Sequence, residues 1–408
     1  MKILRIGMIT LLALLIFVNV EAQRRPAAKK GKGKKEKVEE KLKEKVEEKK
    51  EAPPAIKQEE SWKHPGGNLL STSFSSDGKS AVSVNSEGDI LFWDIESGKK
   101  IRSVHYGSKA TAAAFFGNKK VGLAGGLDKD NAISILDLTN GKETQTLAGH
   151  KGGVKTLAFS IDGESILSGG WNNQVVLWGT ARGDIVRVFK GHDAVVNAVA
   201  VSPNRVIAAS GSADGKIKVW NMSTGELVKT IKAHKKGVSN VAISPDDRLI
   251  LSAGIEKGKD KKDAYFLKLW DVATGKLLVK NTNLGEHKAE ILIALFSPNG
   301  KYALSADRGG ALKLWDIAAG SVAPQKGETP PPTEVRSFEG HAGRILTATF
   351  SPDGSRVLVG GDGTLTIWET ETGKLLGGGA PPASVTTPVE GALPATGTPP
   401  GGVVPPPP

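Results

Sequence analysis

The sequence predicts an all-β fold made of seven copies of one four-stranded unit. In SGSADGKIKVWNMSTGELVKTIKAH, residues 210–234, polar and apolar residues alternate on either side of a turn, as they do in paired, half-buried strands. Asp-Gly and Thr-Gly dipeptides supply the tight turns, because glycine adopts the backbone angles that such turns need. Closely similar stretches recur along the chain, so we expect the repeat to organise the whole fold.

Histidine and tryptophan mark the period of this repeat. The chain contains seven histidines, which are His64, His105, His150, His192, His234, His287 and His341. Successive histidines lie 41, 45, 42, 42, 53 and 54 residues apart. A tryptophan ends the third strand of each repeat except the second, where Leu136 takes its place. A period near 42 residues with four short strands per unit is typical of a β-propeller, so we predict one histidine and one blade per repeat.

These motifs resemble the WD40 repeat family, in which Gly-His opens a repeat and Trp-Asp ends its third strand. Gly-His occurs at 149–150, 191–192 and 340–341, and Trp-Asp at 93–94, 270–271 and 315–316. The resemblance covers residues 61–376 and implies a seven-bladed propeller. It also implies that a histidine, a serine, an aspartate and the tryptophan form a hydrogen-bonded set inside each blade. The fourth repeat matches all four positions, with His192, Ser210, Asp214 and Trp220.

The other repeats depart from this set. The aspartate position holds Glu87, Asn172, Gly309 and Asp362 in the first, third, sixth and seventh repeats, and Leu358 lies near the serine position of the seventh. We expect blades with such gaps to be less rigid at their edges. Because the resemblance gives every histidine a structural role, we expect no catalytic residue, no metal site and no cofactor, and we predict that the protein is not an enzyme.

The two ends of the chain differ from the repeats. Residues 1–22 read as a signal peptide of bacterial appearance, with a basic start, an apolar run of about fifteen residues and a small residue before the expected cleavage site. Residues 23–60 form a spacer with 14 Lys or Arg and 9 Asp or Glu, either disordered or helical. Residues 377–408 are rich in Pro and Gly and are predicted to be disordered. We therefore expect an exported protein, with membrane attachment only if the signal peptide stays uncleaved.

Composition excludes several classes of chemistry. The chain has no cysteine, so it forms no disulfide, thiol nucleophile or thiolate metal site. Gly78-Lys79-Ser80 lacks the upstream glycine of a phosphate-binding loop, because position 73 is a serine. Residues 128–131 carry acidic side chains without the spacing of a calcium loop. The net charge is +12, of which the spacer supplies +5, and we expect no nucleic-acid partner.

Candidate binding residues lie in loops that, in the WD40 family, open on the face conventionally called the top. The fifth repeat carries an insertion, residues 254–265, with four lysines, Lys257, Lys259, Lys261 and Lys262. This segment is either a solvated loop or a cationic lip for an acidic partner. In the third repeat we expect Trp171 to be exposed as a binding anchor, unless it packs on a neighbouring loop, and Lys155 lies near it.

Two further segments leave the architecture open. Residues 321–335 insert a Pro-rich stretch on the opposite, bottom face, and we expect an extended, non-strand loop there. The last strand of the seventh blade comes either from residues 60–64 or from residues 374–376.

The function that the sequence favours is a monomeric, non-catalytic scaffold that binds protein partners through the top face. The alternative is a cell-envelope binder of a polyanion or carbohydrate, such as an anionic envelope polymer, which would use the basic spacer and the Lys-rich segment. The two hypotheses differ in the salt sensitivity that they predict, since exposed charges are screened within about 8 Å at physiological salt.

Overall fold

The computed structural model describes Trp62, His64 and residues 66–378, apart from nine internal gaps. The gaps are 107–109, 117–119, 126–131, 138–141, 259–261, 279–286, 318–332, 339–340 and 342. The predicted signal peptide, the spacer and residues 379–408 lie outside the described residues, as do residues 128–131, Lys259 and Lys261. Within the described part, no helix is long and apolar enough to cross a membrane.

The described residues form antiparallel sheets, here called blades, whose strands follow one another in chain order. Blade 1 consists of β1 (Leu69–Phe74), β2 (Ser80–Asn85), β3 (Asp89–Asp94) and β4 (Lys100–His105). Blade 2 consists of β5 (Ala110–Phe116), β6 (Lys120–Gly125), β7 (Ile133–Asp137) and β8 (Glu143–Leu147). Blade 3 consists of β9 (Val154–Phe159), β10 (Ser165–Gly170), β11 (Val175–Gly179) and β12 (Ile185–Phe189). Blade 4 consists of β13 (Val196–Val201), β14 (Ile207–Ser212), β15 (Lys216–Asn221) and β16 (Leu227–Lys232).

The remaining strands complete the ring. Blade 5 consists of β17 (Val238–Ile243), β18 (Leu249–Lys257) and β19 (Asp263–Asp271). Blade 6 consists of β20 (Ile291–Phe296), β21 (Tyr302–Asp307), β22 (Leu312–Asp316) and β23 (Thr333–Phe338). Blade 7 consists of β24 (Ile345–Phe350), β25 (Arg356–Gly361), β26 (Leu365–Glu369) and β27 (Leu375–Gly378). The first strand of each blade contacts the first strand of the next, and β24 contacts β1.

The predicted all-β propeller arrangement is confirmed, but not every predicted blade is complete. Six sheets have four strands and the sheet of blade 5 has three. In blade 5, Leu277 makes only an isolated bridge to Trp270, and the residues that follow, 279–286, lie outside the described part. The described residues therefore contain six complete blades where the sequence predicted seven.

The hydrophobic core lies between blades. Second strands such as β14 are buried at five of six positions, whereas fourth strands such as β16 are mostly exposed. Trp220 of blade 4 packs in a cluster with Leu177 and Phe189 of blade 3, and the other blade junctions repeat this arrangement. Because each blade covers the apolar face of its neighbour, no blade has a complete core of its own.

The chain closes the ring at blade 7 in one of the two ways that the sequence allowed. The C-terminal strand β27 pairs with β26, so residues 375–376 of the second alternative belong to the fourth strand, and the described residues Trp62 and His64 lie in no strand. The strand extends to Gly378, two residues beyond the predicted boundary at 376. Trp62 is fully buried and its ring stacks on that of Trp93, with the two ring centres 5.5 Å apart.

Two predicted loops contain strand residues. The insertion 254–265 forms a long hairpin, because β18 and β19 continue to pair as far as Lys257 and Asp263. The Pro-rich segment 321–335 was predicted to be a loop, but its last residues, from Thr333 onward, belong to strand β23. Thr333 pairs there with Asp316. In both places extra backbone hydrogen bonds to a neighbouring strand outweigh the loop-like composition.

Candidate functional site

Inside blade 4, the four predicted residues form one hydrogen-bonded chain. Trp220 Nε1 donates to Ser210 Oγ at 2.8 Å, and Ser210 Oγ lies 2.8 Å from His192 Nε2. His192 Nδ1 lies 2.9 Å from a carboxylate oxygen of Asp214. Since the indole can only donate, the serine accepts from it and gives its own proton to His192 Nε2. His192 Nδ1 then carries the hydrogen that is donated to Asp214.

Burial keeps this pair in its neutral-histidine form. Burial lowers the pKa of His192, and the carboxylate of Asp214 offsets this only in part. Burial alone would raise the pKa of Asp214, but hydrogen bonds from His192 and from backbone N–H groups lower it below its usual value. The neutral imidazole and the ionised carboxylate are both buried inside the blade, and each has a hydrogen-bond partner there.

Blade 6 contains a complete set that the sequence comparison missed. His287 bonds Ser305 at 2.7 Å and Asp307 at 2.8 Å, and Trp315 donates to Ser305 at 2.8 Å. Asp307 ends β21, two residues before the expected aspartate position, which holds Gly309. A search that allowed the carboxylate at either position would have found it.

Blades 3 and 5 vary the acidic partner. In blade 3, His150 Nδ1 lies 3.3 Å from the amide oxygen of Asn172. In blade 5, His234 bonds Ser252 at 2.9 Å, but its buried Nδ1 has no hydrogen-bond partner among the described residues. Glu256 takes the aspartate position there and pairs with Lys268 instead.

Blades 2 and 7 replace the serine by a hydroxyl from the third strand. In blade 7, Thr366 on β26 accepts from Trp368 Nε1 at 3.0 Å and lies 3.1 Å from His341 Nδ1, while Leu358 fills the serine position. In blade 2, the Tyr106 hydroxyl bonds Ser134 on β7. Tyr106 thus replaces the histidine, and the prediction that His105 fills this role is wrong.

His105 lies one residue too early for that role. Its side chain is 64% exposed at the end of β4 and pairs with Asp89 at 2.8 Å. In blades 3 to 7 the histidine lies four residues before the first strand, as Tyr106 does before Ala110, whereas His64 and His105 each lie five residues before theirs. Counting from the strand, and not from the histidine, would have identified the tyrosine.

A β-bulge recurs at the second residue of every first strand. In blade 3, for example, Val154 pairs with Gly170 and Thr156 with Gly169, which leaves Lys155 as the extra residue. The bulged residues are Leu70, Thr111, Lys155, Asn197, Ser239, Leu292 and Leu346. Bulges redirect side chains and occur next to functional sites. Each bulged residue lies at the start of a first strand, directly after the loop that joins two blades. The seven bulged residues therefore form a ring.

This ring surrounds the mouth of a central channel. The channel has a volume of about 510 Å³, and its lining includes Leu70, Lys155, Asn197, Leu292 and Leu346. The loops between blades and the turns between second and third strands meet on the same face, because the backbones of Ala213 and Val195 hydrogen-bond there. This is the top face of the sequence prediction.

Lys155 and Trp171 meet at this mouth. The Lys155 ammonium lies 4.7 Å from the centre of the Trp171 ring and donates to Asn197 Oδ1 at 2.8 Å. Trp171 is 46% exposed, so one face of its ring remains open to solvent. Burial lowers the pKa of Lys155, which the carboxylate of Glu290 partly offsets. The two residues that the sequence singled out are therefore in contact.

The Lys-rich hairpin stands on the same face. Lys257 is exposed at the end of β18, and Lys262 is exposed just before β19. Lys236, from the loop before β17, pairs with Asp263 at the turn end of the hairpin, where the pairing of β18 with β19 stops. Within the described residues, no three His, Asp or Glu side chains are grouped as metal ligands.

Comparison with protein families assigns the repeats. The family model described as "WD domain, G-beta repeat" matches residues 141–179, 183–221, 225–262, 279–316 and 332–369. These five segments begin in blade 2 and continue to blade 7. Blade 1 lies outside them.

Several similar proteins come from eukaryotes. A guanine nucleotide-binding protein subunit beta from Arabidopsis thaliana is 34% identical over 114 residues, which is 26% of this chain and 27% of that protein. The periodic tryptophan protein 2 homolog of Dictyostelium discoideum is 24% identical over 290 residues, which is 70% of this chain and 29% of that protein. Protein groucho of Drosophila melanogaster is 29% identical over 115 residues, which is 28% of this chain and 14% of that protein.

The chain spans less than a third of the length of each of these relatives. Each matched segment nevertheless contains a histidine and the hydroxyl residue to which it is hydrogen-bonded, and all but residues 225–262 also contain the tryptophan that donates to that hydroxyl. The family matches and the ring of antiparallel blades together identify this chain as a protein that contains WD40 repeats arranged in a β-propeller.

Proposed function

We propose that this protein is a non-catalytic scaffold that binds protein partners through the top face of the propeller. The observation that carries the proposal is the contact between Lys155 and the half-exposed Trp171 at the rim of the channel mouth. A rigid, partly exposed tryptophan with a cation behind it is typical of the anchor residues that dominate protein interfaces.

The known repeat proteins support this proposal. WD40 repeat proteins commonly act as scaffolds for protein interactions, and two similar proteins are named as subunits of larger assemblies. The histidines of the described blades other than His105 face structural partners inside the blades or are buried there. We further propose that the chain is exported, on the basis of the signal-peptide pattern in residues 1–22, and that it is monomeric.

Trp171→Ala tests the proposal by capture of partners from an extract of the source organism. The bait is the chain from Gln23 onward, and the matched control is Ile161→Ala. Ile161 is 81% exposed on a turn between first and second strands, which opens on the bottom face. We expect a discrete set of proteins that stays bound at high salt, is lost with Trp171→Ala and is kept with Ile161→Ala. Equal capture by all three baits would contradict a top-face site.

The second candidate function is binding of an envelope polyanion or carbohydrate. The exposed Lys257 and Lys262 on the hairpin favour it. Replacing both lysines by serine should abolish capture under this hypothesis, and raising the salt concentration should do the same. Under the scaffold hypothesis, the double serine variant keeps its partners at high salt.

A further inference from the structure

We propose that the channel mouth binds a peptide segment of the partner that carries an aliphatic side chain next to a carboxylate side chain. This inference rests on the proposed function, because it names the chemistry that the top face recognises. It goes beyond that function by assigning separate tasks to the two halves of the bulge ring.

One half of the ring is apolar. Leu70, Leu292 and Leu346 are the bulged residues of blades 1, 6 and 7, which are consecutive around the ring. All three are partly exposed and line the channel. Three leucines on one arc of a cavity of about 510 Å³ leave apolar surface in contact with water, and an aliphatic side chain would cover it.

The opposite half is polar and carries a positive charge that forms no direct ion pair with a described residue, because the nearby carboxylate of Glu290 pairs with Arg308. Lys155 and Asn197 are the bulged residues of blades 3 and 4. Within the described residues, Lys155 forms no ion pair and contacts an amide oxygen and an indole ring instead. Asn197 is held in place, because its Nδ2 donates to the backbone oxygen of Val238 at 2.8 Å. A partly desolvated ammonium in this position is stabilised by an incoming carboxylate.

Other exposed side chains on the top face are positively charged, as Lys155 is. Lys151, Lys235 and Lys288 each directly follow a buried histidine and are exposed, and none forms an ion pair with a described residue. Other cations of this face are already neutralised, as Lys216 is by Asp193 and Arg344 by Asp362. The surplus charge is positive, so it attracts acidic segments and repels basic ones.

A simple polyanion fits this site less well than an acidic peptide with an aliphatic residue. A polyanion would neutralise the lysines but leave the leucine arc uncovered. Lys155 and the leucines lie on opposite sides of one channel mouth, and this placement points to a ligand with both chemistries.

Four labelled peptides test the inference by fluorescence anisotropy with the full chain. Each is a twelve-residue Gly/Ser peptide whose two central residues are Leu-Glu, Leu-Gln, Ala-Glu or Leu-Lys. We expect Leu-Glu to bind at least about tenfold more tightly than each of the other three, since each lacks one of the two contacts. Poly-glutamate serves as the polyanion probe.

Two variants assign the contacts to the two halves of the ring. Lys155→Met removes the charge and should abolish the preference for Leu-Glu over Leu-Gln, and Lys155→Arg should restore it. Leu346→Ser should abolish the preference for Leu-Glu over Ala-Glu. Ile161→Ser on the bottom face is the matched control and should leave all preferences unchanged. Thermal unfolding verifies that each variant is folded. If a variant does not fold, the binding of the four peptides to the unaltered protein still tests the inference.

The outcomes separate this inference from the proposed function. No peptide binding, or equal binding of Leu-Glu and Leu-Lys, overturns the inference, while loss of partners with Trp171→Ala would still support the scaffold. Equal binding of Ala-Glu and Leu-Glu, together with tight binding of poly-glutamate, overturns it in favour of a polyanion site. Loss of the Leu-Glu preference in Lys155→Met with retention in the control supports it.

Discussion

Blades 4 and 5 are neighbours with the same serine, histidine and tryptophan, yet the carboxylate at the acidic position has a different partner in each. In blade 4, Asp214 bonds His192, and Lys218 turns away to Thr230 at 3.2 Å. In blade 5, the corresponding carboxylate belongs to Glu256, which pairs with Lys268 and approaches His234 Nδ1 only to 3.9 Å.

The difference shows that the repeat has a constant part and a variable part. The hydroxyl that joins histidine and tryptophan is present in both blades at 2.8 to 2.9 Å. The carboxylate varies where the hairpin of blade 5 extends the sheet. The constant part lies in the dry interior, where an unpaired donor is costly, whereas the variable part lies near the top face.

The largest expected effect comes from removing the constant part. Ser210→Ala and Ser252→Ala each leave an indole N–H and an imidazole nitrogen buried without a partner. We expect each variant to lose about 3 kcal/mol of unfolding free energy, to a similar extent in both blades. Urea denaturation measures this loss. Ser223→Ala, on an exposed turn of blade 4, is the control and should change stability by less than about 0.5 kcal/mol. If neither variant loses unfolding free energy, the hydroxyl does not stabilise the blades and does not belong to the constant part.

Acid should affect blade 5 strongly, because His234 is buried without a bonded carboxylate. Burial, with the nearby Lys268 charge, lowers the pKa of His234 to about 3. The folded state therefore disfavours the protonated ring, and this stability is fully present above the unfolded pKa of about 6.5 and falls as the pH decreases toward the folded value. At pH 5 the loss from His234 alone is about 2 kcal/mol. Denaturation at pH 7 and pH 5 measures it, and an unchanged free energy would refute it.

Alanine substitutions at the acidic position should change the stability of blades 4 and 5 by different amounts. Asp214→Ala removes a charge-assisted hydrogen bond from His192 and should cost about 1.5 kcal/mol. Glu256→Ala removes no hydrogen bond from His234, and Lys268 keeps its bond to the backbone oxygen of Ala233 at 2.9 Å, so we expect a loss below about 1 kcal/mol. Melting temperatures of the two variants make the comparison. A larger loss for Glu256→Ala would reverse the distinction between the blades.

The smallest effect concerns the two lysines of the third strands. The charge of Lys268 is the second cause of the low pKa of His234, whereas the charge of Lys218 contributes less to that of His192 than Asp214 does. Lys268→Met should therefore raise the pKa of His234 more than Lys218→Met raises that of His192. NMR titration of the two imidazoles measures both shifts, and equal shifts would count against the assignment.

The repeat, its strand order and the hydrogen-bonded set of blade 4 could all be predicted from local patterns. Alternation, turn dipeptides and the recurring tryptophan depend on neighbouring residues, so they can be recognised one repeat at a time. The same local patterns failed for His105, because Tyr106, one residue later, occupies the structural position in space. They also failed for Asp307, whose carboxylate reaches His287 from a different place in the chain.

The sequence by itself determined that the chain repeats a four-stranded unit and that Trp171 and Lys155 are candidates for binding. Only the tertiary structure decided that these two residues touch, that bulged residues of every blade share one channel mouth, and that β27 completes blade 7. Each of these features joins residues from different strands or blades. Their proximity depends on closure of the ring, which no single repeat encodes.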